Sequence, residues 1–122
     1  RMWYHKFDSY IRQLGYHRSK SDPCMYTRQL ADESWIYLIL YVDDMLIVGS
    51  NRVEIGILKW TLHNNFAMKE LEQARHILGM QIERNRTTKT LQLSQPDYIQ
   101  KVLKCFNMEN VKPSSTPLSK SI

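Results

Sequence analysis

Apolar residues recur along the chain at two spacings, which predict three helices and a set of short strands. Spacings of three and four residues, typical of amphipathic helices, run through residues 3–14, 53–62 and 99–106. Short apolar runs bounded by turn-forming residues predict strands at residues 24–29, 35–42, 45–49, 66–71, 77–83 and 90–94. This succession of elements predicts an α+β fold, with an antiparallel sheet and helices packed mainly on one face.

The ends of the predicted helices carry residues that favour helix termination or capping. Gly15 follows the first helix, Ser50 or Asn51 can cap the second, and Asn107 can end the third. The second helix is expected to face the sheet through its apolar positions, which are Val53, Ile55, Ile57, Leu58, Trp60 and Leu62.

Two adjacent carboxylates interrupt the most apolar stretch of the chain. Residues 36–42 are apolar or aromatic, Asp43 and Asp44 follow, and residues 45–49 are again apolar. The pattern predicts a hairpin with Asp43 and Asp44 as its turn and with both strands covered on both faces. A two-residue hairpin turn favours Asn-Gly, Asp-Gly or Gly-Gly, so an Asp-Asp pair is unfavourable there if its role is only structural.

Two interpretations of the acidic pair follow from its chemistry. Adjacent carboxylates on a firmly held turn offer hard oxygen ligands for Mg²⁺, which usually takes one or two protein carboxylates and completes its octahedron with water and phosphate oxygens. The alternative is a solvated acidic turn without a ligand. The strongly strand-like flanks favour the metal interpretation, while Asp8, Asp22 and Asp32 are poor candidates for a further ligand.

Composition narrows the class of protein. The 122 residues carry a net charge of +5 with a sequence pI of about 9.3, which suits contact with nucleic acid phosphates but is shared by many unrelated domains. Arg12, Arg18, Lys20 and Arg28 could contact such a backbone or form a solvated face. Cys24 and Cys105, far apart in the chain, are predicted to be reduced core thiols. No signal peptide or membrane-spanning run is seen, so an intracellular setting is expected.

The segment YVDDML at residues 41–46 resembles the catalytic hairpin of reverse transcriptases. Further stretches in the same order are similar to the copia type of long-terminal-repeat retrotransposon polyprotein: WYHKFDSYI at residues 3–11, RSKSDPCMYTR at 18–28, ILGMQI at 77–82 and LSQPDYIQKVLKCFNM at 93–108. Together they cover nearly the whole chain. The resemblance implies a partial polymerase palm, with residues 1–111 as its C-terminal half, including a primer-grip hairpin and the following helix, and residues 112–122 as a linker toward a downstream domain.

The resemblance also implies roles for individual residues. Asp43 and Asp44 correspond to two of three catalytic carboxylates and would bind Mg²⁺ or Mn²⁺. Tyr41 and Val42 would lie near the primer terminus, and Leu78, Gly79 and Met80 would grip the primer backbone. One departure concerns Glu72, because the family usually has Gly after an acidic residue and Leu, and a Glu there restricts the loop.

Two functional hypotheses remain after this comparison. The first is a fragment of an RNA-directed DNA polymerase that uses an RNA or DNA template with primer and deoxynucleotide triphosphates. The family's first catalytic Asp lies upstream of the helix that begins near Trp3, so the fragment is expected to be inactive without the missing N-terminal palm and fingers of the same polyprotein. The second is a non-enzymatic retrotransposon remnant, at most a basic module that binds nucleic acid.

Overall fold

The computed structural model describes residues 2–115, which form three helices and two antiparallel sheets and so confirm the α+β class. The elements are α1 (Met2–Gln13), β1 (His17–Arg18), β2 (Met25–Gln29), β3 (Trp35–Tyr41), β4 (Asp44–Gly49), α2 (Arg52–Asn65), β5 (His76–Ile77), β6 (Met80–Asn85), β7 (Thr90–Ser94) and α3 (Pro96–Cys105). The chain divides into two compact units, the first ending at Gln73 and the second beginning at Ala74. None of the helices in residues 2–115 is long and apolar enough to cross a membrane.

The first unit is built on one four-stranded sheet with the order β1-β2-β3-β4. Because side chains alternate along a strand, the register places Tyr26, Leu38 and Ile47 on one face and Thr27, Tyr37 and Val48 on the other. The first of these faces packs against α1 and α2. Its core consists of the buried side chains Phe7, Ile11, Tyr16, Tyr26, Ile36, Leu38, Leu40, Leu58, Leu62 and Phe66.

The expectation that both faces of the central strands are covered is wrong for the described part of the chain. Along β3, buried Ile36, Leu38 and Leu40 alternate with Trp35, Tyr37 and Tyr41, which are 42%, 38% and 52% exposed. The continuous apolar run predicted two covered faces because the outward positions hold large aromatic residues, which count as apolar although they are exposed here. This second face, which we call the open face, therefore presents aromatic rings.

The packing of α2 confirms part of its predicted apolar face. Asn51 caps the helix, and its side-chain oxygen accepts from the Glu54 backbone N–H at 3.1 Å. Leu58 and Leu62 are buried and Ile55 packs against the core, whereas Val53, Ile57 and Trp60 are exposed. The helix carries two apolar stripes, and periodicity alone could not show which one meets the sheet.

Glycine is required where α2 follows the sheet. A Cβ added at Gly49 would lie 3.2 Å from the Trp35 carbonyl oxygen and 3.3 Å from the Ile55 side chain. Between α1 and β1, Gly15 ends the helix with a φ of 87°. Both positions therefore fix how a helix joins the sheet.

The predicted strand at residues 66–71 does not form. Phe66 is instead buried in the core, where its ring lies 5.6 Å from the ring centroid of Phe7 and 5.5 Å from that of Tyr10. Met68 packs against the same core. The apolar residues of this stretch thus fill an aromatic cluster rather than extend a sheet.

The second unit contains the three-stranded sheet β5-β6-β7 and α3. The predicted strand 77–83 is divided by a turn at Leu78 and Gly79, and β6 begins only at Met80. Asn107, at a φ of 54°, ends α3 as predicted. The apolar face of α3, which includes Ile99 and Phe106, is exposed.

Both cysteines are free, but only Cys24 is partly buried. Cys105 is exposed, so its prediction as a core thiol is wrong. The apolar face of α3, to which it is adjacent, is not covered by the described residues of its own unit, 74–115. Most of the predicted linker at 112–122 lies outside the described residues.

Candidate catalytic hairpin

The turn of the β3–β4 hairpin lies one residue earlier than predicted. Tyr41 pairs with Asp44, so the two turn residues are Val42 and Asp43, and Asp44 is the first residue of β4. Val42 has a φ of 51°, in the left-handed region that β-branched residues strongly disfavour. Such backbone strain persists only where surrounding structure enforces it, and it is common at functional sites.

The two carboxylates have different surroundings on this turn. Asp44 lies on the open face, directly across from Tyr41. Asp43 lines a shallow depression together with Trp3, Tyr4, Cys24, Leu40 and Val42. The turn therefore presents one carboxylate at the end of the aromatic row and the other at a concave surface beside α1.

Neither carboxylate is used to hold the fold. Asp43 and Asp44 are both exposed, and within residues 2–115 their side chains take part in no hydrogen bond or ion pair. Two adjacent, unneutralised oxygen donors fit the partial ligand set of a magnesium ion. In the same part of the chain, no three His, Cys, Asp or Glu side chains converge on a possible metal position.

The other aspartates that could have supplied a ligand have structural partners. Asp22 accepts from the Cys24 backbone N–H at 2.9 Å, and Asp32 accepts from the Ser34 hydroxyl and from the Asn51 side chain. The Ser34 hydrogen bond lowers the pKa of Asp32. Asp8 accepts from the Tyr26 hydroxyl at 2.6 Å. Their geometry agrees with the sequence-based judgement that they are poor ligands for the turn.

The contact between Asp8 and Tyr26 joins α1 to the strand next to β3. Tyr26 is fully buried, and its hydroxyl also lies 3.4 Å from the Tyr4 hydroxyl. Its hydrogen bond is the main reason why the pKa of Asp8 is lowered, with Arg12 contributing further through an ion pair at 2.9 Å. Burial, followed by the bond to Asp8, raises the pKa of Tyr26. Sequence patterns could not indicate this pair, because its members lie 18 positions apart in different elements.

The basic residues considered as nucleic acid contacts in this unit are mostly engaged within the fold. The Arg18 Nε atom donates to the Pro23 carbonyl at 2.8 Å, and its guanidinium lies over the Tyr4 ring. Arg28 lies over the Tyr16 ring and 4.0 Å from Glu54. Together with the Arg12–Asp8 pair, these contacts favour a structural role.

The residues predicted to grip the primer form a tight turn in the second unit. Ile77 pairs with Met80, and the intervening Leu78 and Gly79 have φ values of 51° and 74°. Two positive values are typical of a type I′ hairpin turn. A Cβ on Gly79 would meet nothing within 4 Å, so the glycine is needed for its backbone conformation rather than for close approach.

Glu72 adopts the conformation that a glycine would favour. Its φ is 60°, at the position where the reverse transcriptase pattern usually has Gly. A non-glycine residue in this region carries a conformational cost. Glu72 therefore has a left-handed backbone without the glycine that would adopt it at little cost.

Sequence comparisons with known proteins identify the family of the chain. The family model described as "Reverse transcriptase (RNA-dependent DNA polymerase)" matches residues 1–120. The chain is 50% identical over 119 residues to the retrovirus-related Pol polyprotein from transposon TNT 1-94 of Nicotiana tabacum, covering 98% of this chain and 9% of that protein. It is 36% identical over 121 residues to the Pol polyprotein from transposon RE2 of Arabidopsis thaliana, covering 99% of this chain and 8% of the relative.

A third relative is the Pol polyprotein from transposon RE1 of Arabidopsis thaliana, 34% identical over 121 residues, covering 99% of this chain and 8% of the relative. The chain thus spans less than a tenth of these three relatives. No solved structure matches it. From the family model and these relatives, the chain belongs to the reverse transcriptase family of copia-type retrotransposon polyproteins.

Proposed function

We propose that this chain is part of an RNA-directed DNA polymerase that adds deoxynucleotides to a primer 3′-OH by two-metal phosphoryl transfer. The observation that carries the proposal is the exposed, unpartnered pair Asp43 and Asp44 on a strained turn of a hairpin that has one buried face. Asp43 and Asp44 would hold Mg²⁺ or Mn²⁺, which stabilises charge on the attacking and leaving oxygens when bound.

The remaining residues of the turn suit contact with substrate. Tyr41 is 52% exposed and Val42 is 74% exposed, so both present apolar surface next to the carboxylates without covering them. Such surface suits contact with the sugar and base at a primer end, while the depression beside Asp43 offers a concave position for a substrate group. Leu78, Gly79 and Met80 form the tight turn proposed to grip the primer backbone.

The free edge of β4 supports the need for an upstream segment. Among the described residues β4 pairs only with β3, and after Asp44 its edge carries no charge and no proline to prevent further pairing. A strand added there would lie beside Asp44 and could supply the third carboxylate. We therefore propose that residues 1–122, with 1–111 as half of a palm and 112–122 as a linker, do not polymerise without the upstream palm and fingers.

Primer extension tests the proposal with two proteins, the 122-residue chain and a longer chain that adds the upstream segment of the polyprotein. With Mg²⁺, a primed RNA template and deoxynucleotides, only the longer chain should extend the primer. Asp43→Asn in the longer chain should lower the rate by at least about 100-fold, since a bound metal supplies several kcal/mol and 1.36 kcal/mol is tenfold.

The matched control is Asp22→Asn, which removes the same charge but keeps an acceptor for the Cys24 N–H. Its extension rate should stay near that of the unchanged protein. Extension by the 122-residue chain that Asp43→Ala abolishes would overturn the predicted inactivity. A longer chain that binds duplex but never extends a primer would favour the second candidate, a non-enzymatic remnant that binds nucleic acid. The excess of basic residues after Gln73 supports that candidate.

A further inference from the structure

The charge of the chain is divided very unevenly between its two units. Residues 1–73 contain nine basic and nine acidic residues, so the sequence of the first unit is neutral. Residues 74–122 contain eight basic and three acidic residues. The whole net charge of +5 therefore belongs to the sequence that follows Gln73.

Three of these cations lie together at the turn between β6 and β7. We call residues 84–90 the basic turn; it carries Arg84, Arg86 and Lys89, and every residue in it is exposed. Arg84 pairs with Leu91 across the hairpin, while the neighbouring Glu83 points to the opposite face of β6. No acidic residue occurs within the basic turn.

Local hydrogen bonds fix the backbone that presents these cations. The Asn85 side-chain oxygen accepts from the backbone N–H groups of Thr87 and Thr88, each at 3.0 Å. The hydroxyls of Thr88 and Thr90 lie 2.9 Å apart. An Asn that binds the backbone two and three residues later is a common turn device, so the turn is held without using its charged groups.

The cations of the basic turn have no partner among the described residues, unlike three cations of the first unit. Within residues 2–115, the side chains of Arg84, Arg86 and Lys89 take part in no ion pair, hydrogen bond or ring contact, whereas Arg12, Arg28 and Lys59 each meet a carboxylate. Placing three like charges on a short turn without a counter-charge is unfavourable by itself. An anionic partner would remove that repulsion.

We propose that the basic turn binds the phosphate backbone of duplex nucleic acid. Guanidinium groups pair bidentately with phosphate oxygens, lysine adds a point charge, and threonine hydroxyls donate to the same oxygens. The side chains in the turn thus contact phosphates rather than base edges. The proposal deepens the proposed function, since it names a duplex contact outside the catalytic hairpin, but it needs neither a bound metal nor catalysis.

Salt dependence of binding tests this contact directly. The probe is a short, blunt, fluorescently labelled DNA duplex, and its anisotropy is followed with the full chain in the absence of divalent cations. Each phosphate contact contributes about 0.9 to the slope of log K against log salt. The triple variant Arg84→Gln, Arg86→Gln, Lys89→Gln should therefore lower the slope by about 2.7. Between about 50 and 200 mM salt, the unchanged chain should lose about 40-fold more affinity than this variant.

A second triple variant controls for net charge. Lys101→Gln, Lys104→Gln and Lys112→Gln remove three positive charges from the same unit outside the basic turn, and they should change the slope far less. An equal loss in both variants, or no loss in the first, would overturn the proposal. Competition by polyglutamate at equal charge would likewise overturn the assignment to nucleic acid.

The experiment separates this inference from the proposed polymerase activity. The double variant Asp43→Asn, Asp44→Asn should abolish primer extension by the longer chain and leave the salt slope of the 122-residue chain unreduced. Loss of extension with an unreduced slope supports the polymerase proposal and shows that duplex binding does not depend on the two carboxylates. A normal slope in the basic-turn variant would refute only the duplex contact.

Discussion

The two hairpins of this chain carry opposite charges at their turns and are stabilised in different ways. The β3–β4 hairpin ends in Asp43 and Asp44, and one of its faces is buried under α1 and α2. The β6–β7 hairpin ends in Arg84, Arg86 and Lys89, and all residues from 83 to 93 are exposed. The first relies on a core behind it, whereas the second relies on its own turn.

The turns themselves reflect this difference. In the acidic turn a valine holds a left-handed backbone that its type disfavours, with no side-chain hydrogen bond in the described residues to help it. In the basic turn Asn85 satisfies two backbone N–H groups. A strained turn persists only where packing holds the strands on either side in place. The buried face of β3 supplies that packing.

Truncating one leucine in each hairpin gives the largest expected difference. Leu38 is fully buried and Leu93 is 54% exposed. Leu38→Ala should lower the free energy of unfolding by about 2–5 kcal/mol, because it removes buried methyl groups and leaves a cavity. Leu93→Ala should change it by about 0.5 kcal/mol or less.

Urea unfolding followed by tryptophan fluorescence and circular dichroism measures both variants. All three tryptophans, Trp3, Trp35 and Trp60, lie in the first unit, so their fluorescence reports the unit that contains Leu38. Circular dichroism follows the whole chain and covers Leu93. Equal losses of unfolding free energy for the two variants would show that the second hairpin has a core of its own. The two hairpins would then be stabilised in the same way.

Sequence periodicity located most of the elements but not their surroundings. It located α1, the β3–β4 hairpin and the end of α3, because amphipathic spacing and terminating residues are local properties. It failed at Phe66, Val53 and Cys105, since their burial depends on contacts with elements distant in sequence. The acidic pair was visible from its neighbours, whereas the turn register was not, because valine is the last residue type expected at a positive φ.

The link between α1 and β2 provides a second test of how the acidic hairpin is supported. Tyr26→Phe removes the hydroxyl that donates to Asp8 at 2.6 Å. Hydrogen bonds to charged groups contribute about 1.5–3 kcal/mol, so the free energy of unfolding near neutral pH should fall by that amount. Tryptophan fluorescence during urea unfolding measures the loss.

The loss should depend on pH in a defined direction. The Tyr26 hydroxyl is the main cause of the lowered pKa of Asp8, so its contribution is present above the ordinary Asp value of 3.8 and disappears as the pH falls through the lower folded value. The difference between Tyr26→Phe and the unchanged chain should therefore shrink in acid. Tyr16→Phe removes the hydroxyl of a buried tyrosine whose ring lies under the Arg28 guanidinium, and it should show a constant difference over the same range. A constant difference for Tyr26→Phe as well would exclude Asp8 as its partner in solution.

Relieving the acidic turn should change stability less than Leu38→Ala or Tyr26→Phe does, and in the opposite direction. Val42→Gly places the residue that tolerates a φ of 51° at the strained position. Strain of about 1–3 kcal/mol is relieved, and the greater backbone freedom of glycine in the unfolded chain offsets about 0.5–1 kcal/mol of it. The variant should thus be more stable than the unchanged chain by about 1 kcal/mol, measured by the same urea titration.

Val48→Gly makes the same substitution inside β4, where the backbone is extended, and it should destabilise the chain instead. If both variants lose stability, the valine is not strained in solution, and the acidic turn is held by its own residues as the basic turn is. If the signs differ, the buried face of β3 keeps the turn in a conformation that its sequence opposes, which is what a hairpin presenting two carboxylates at fixed positions requires.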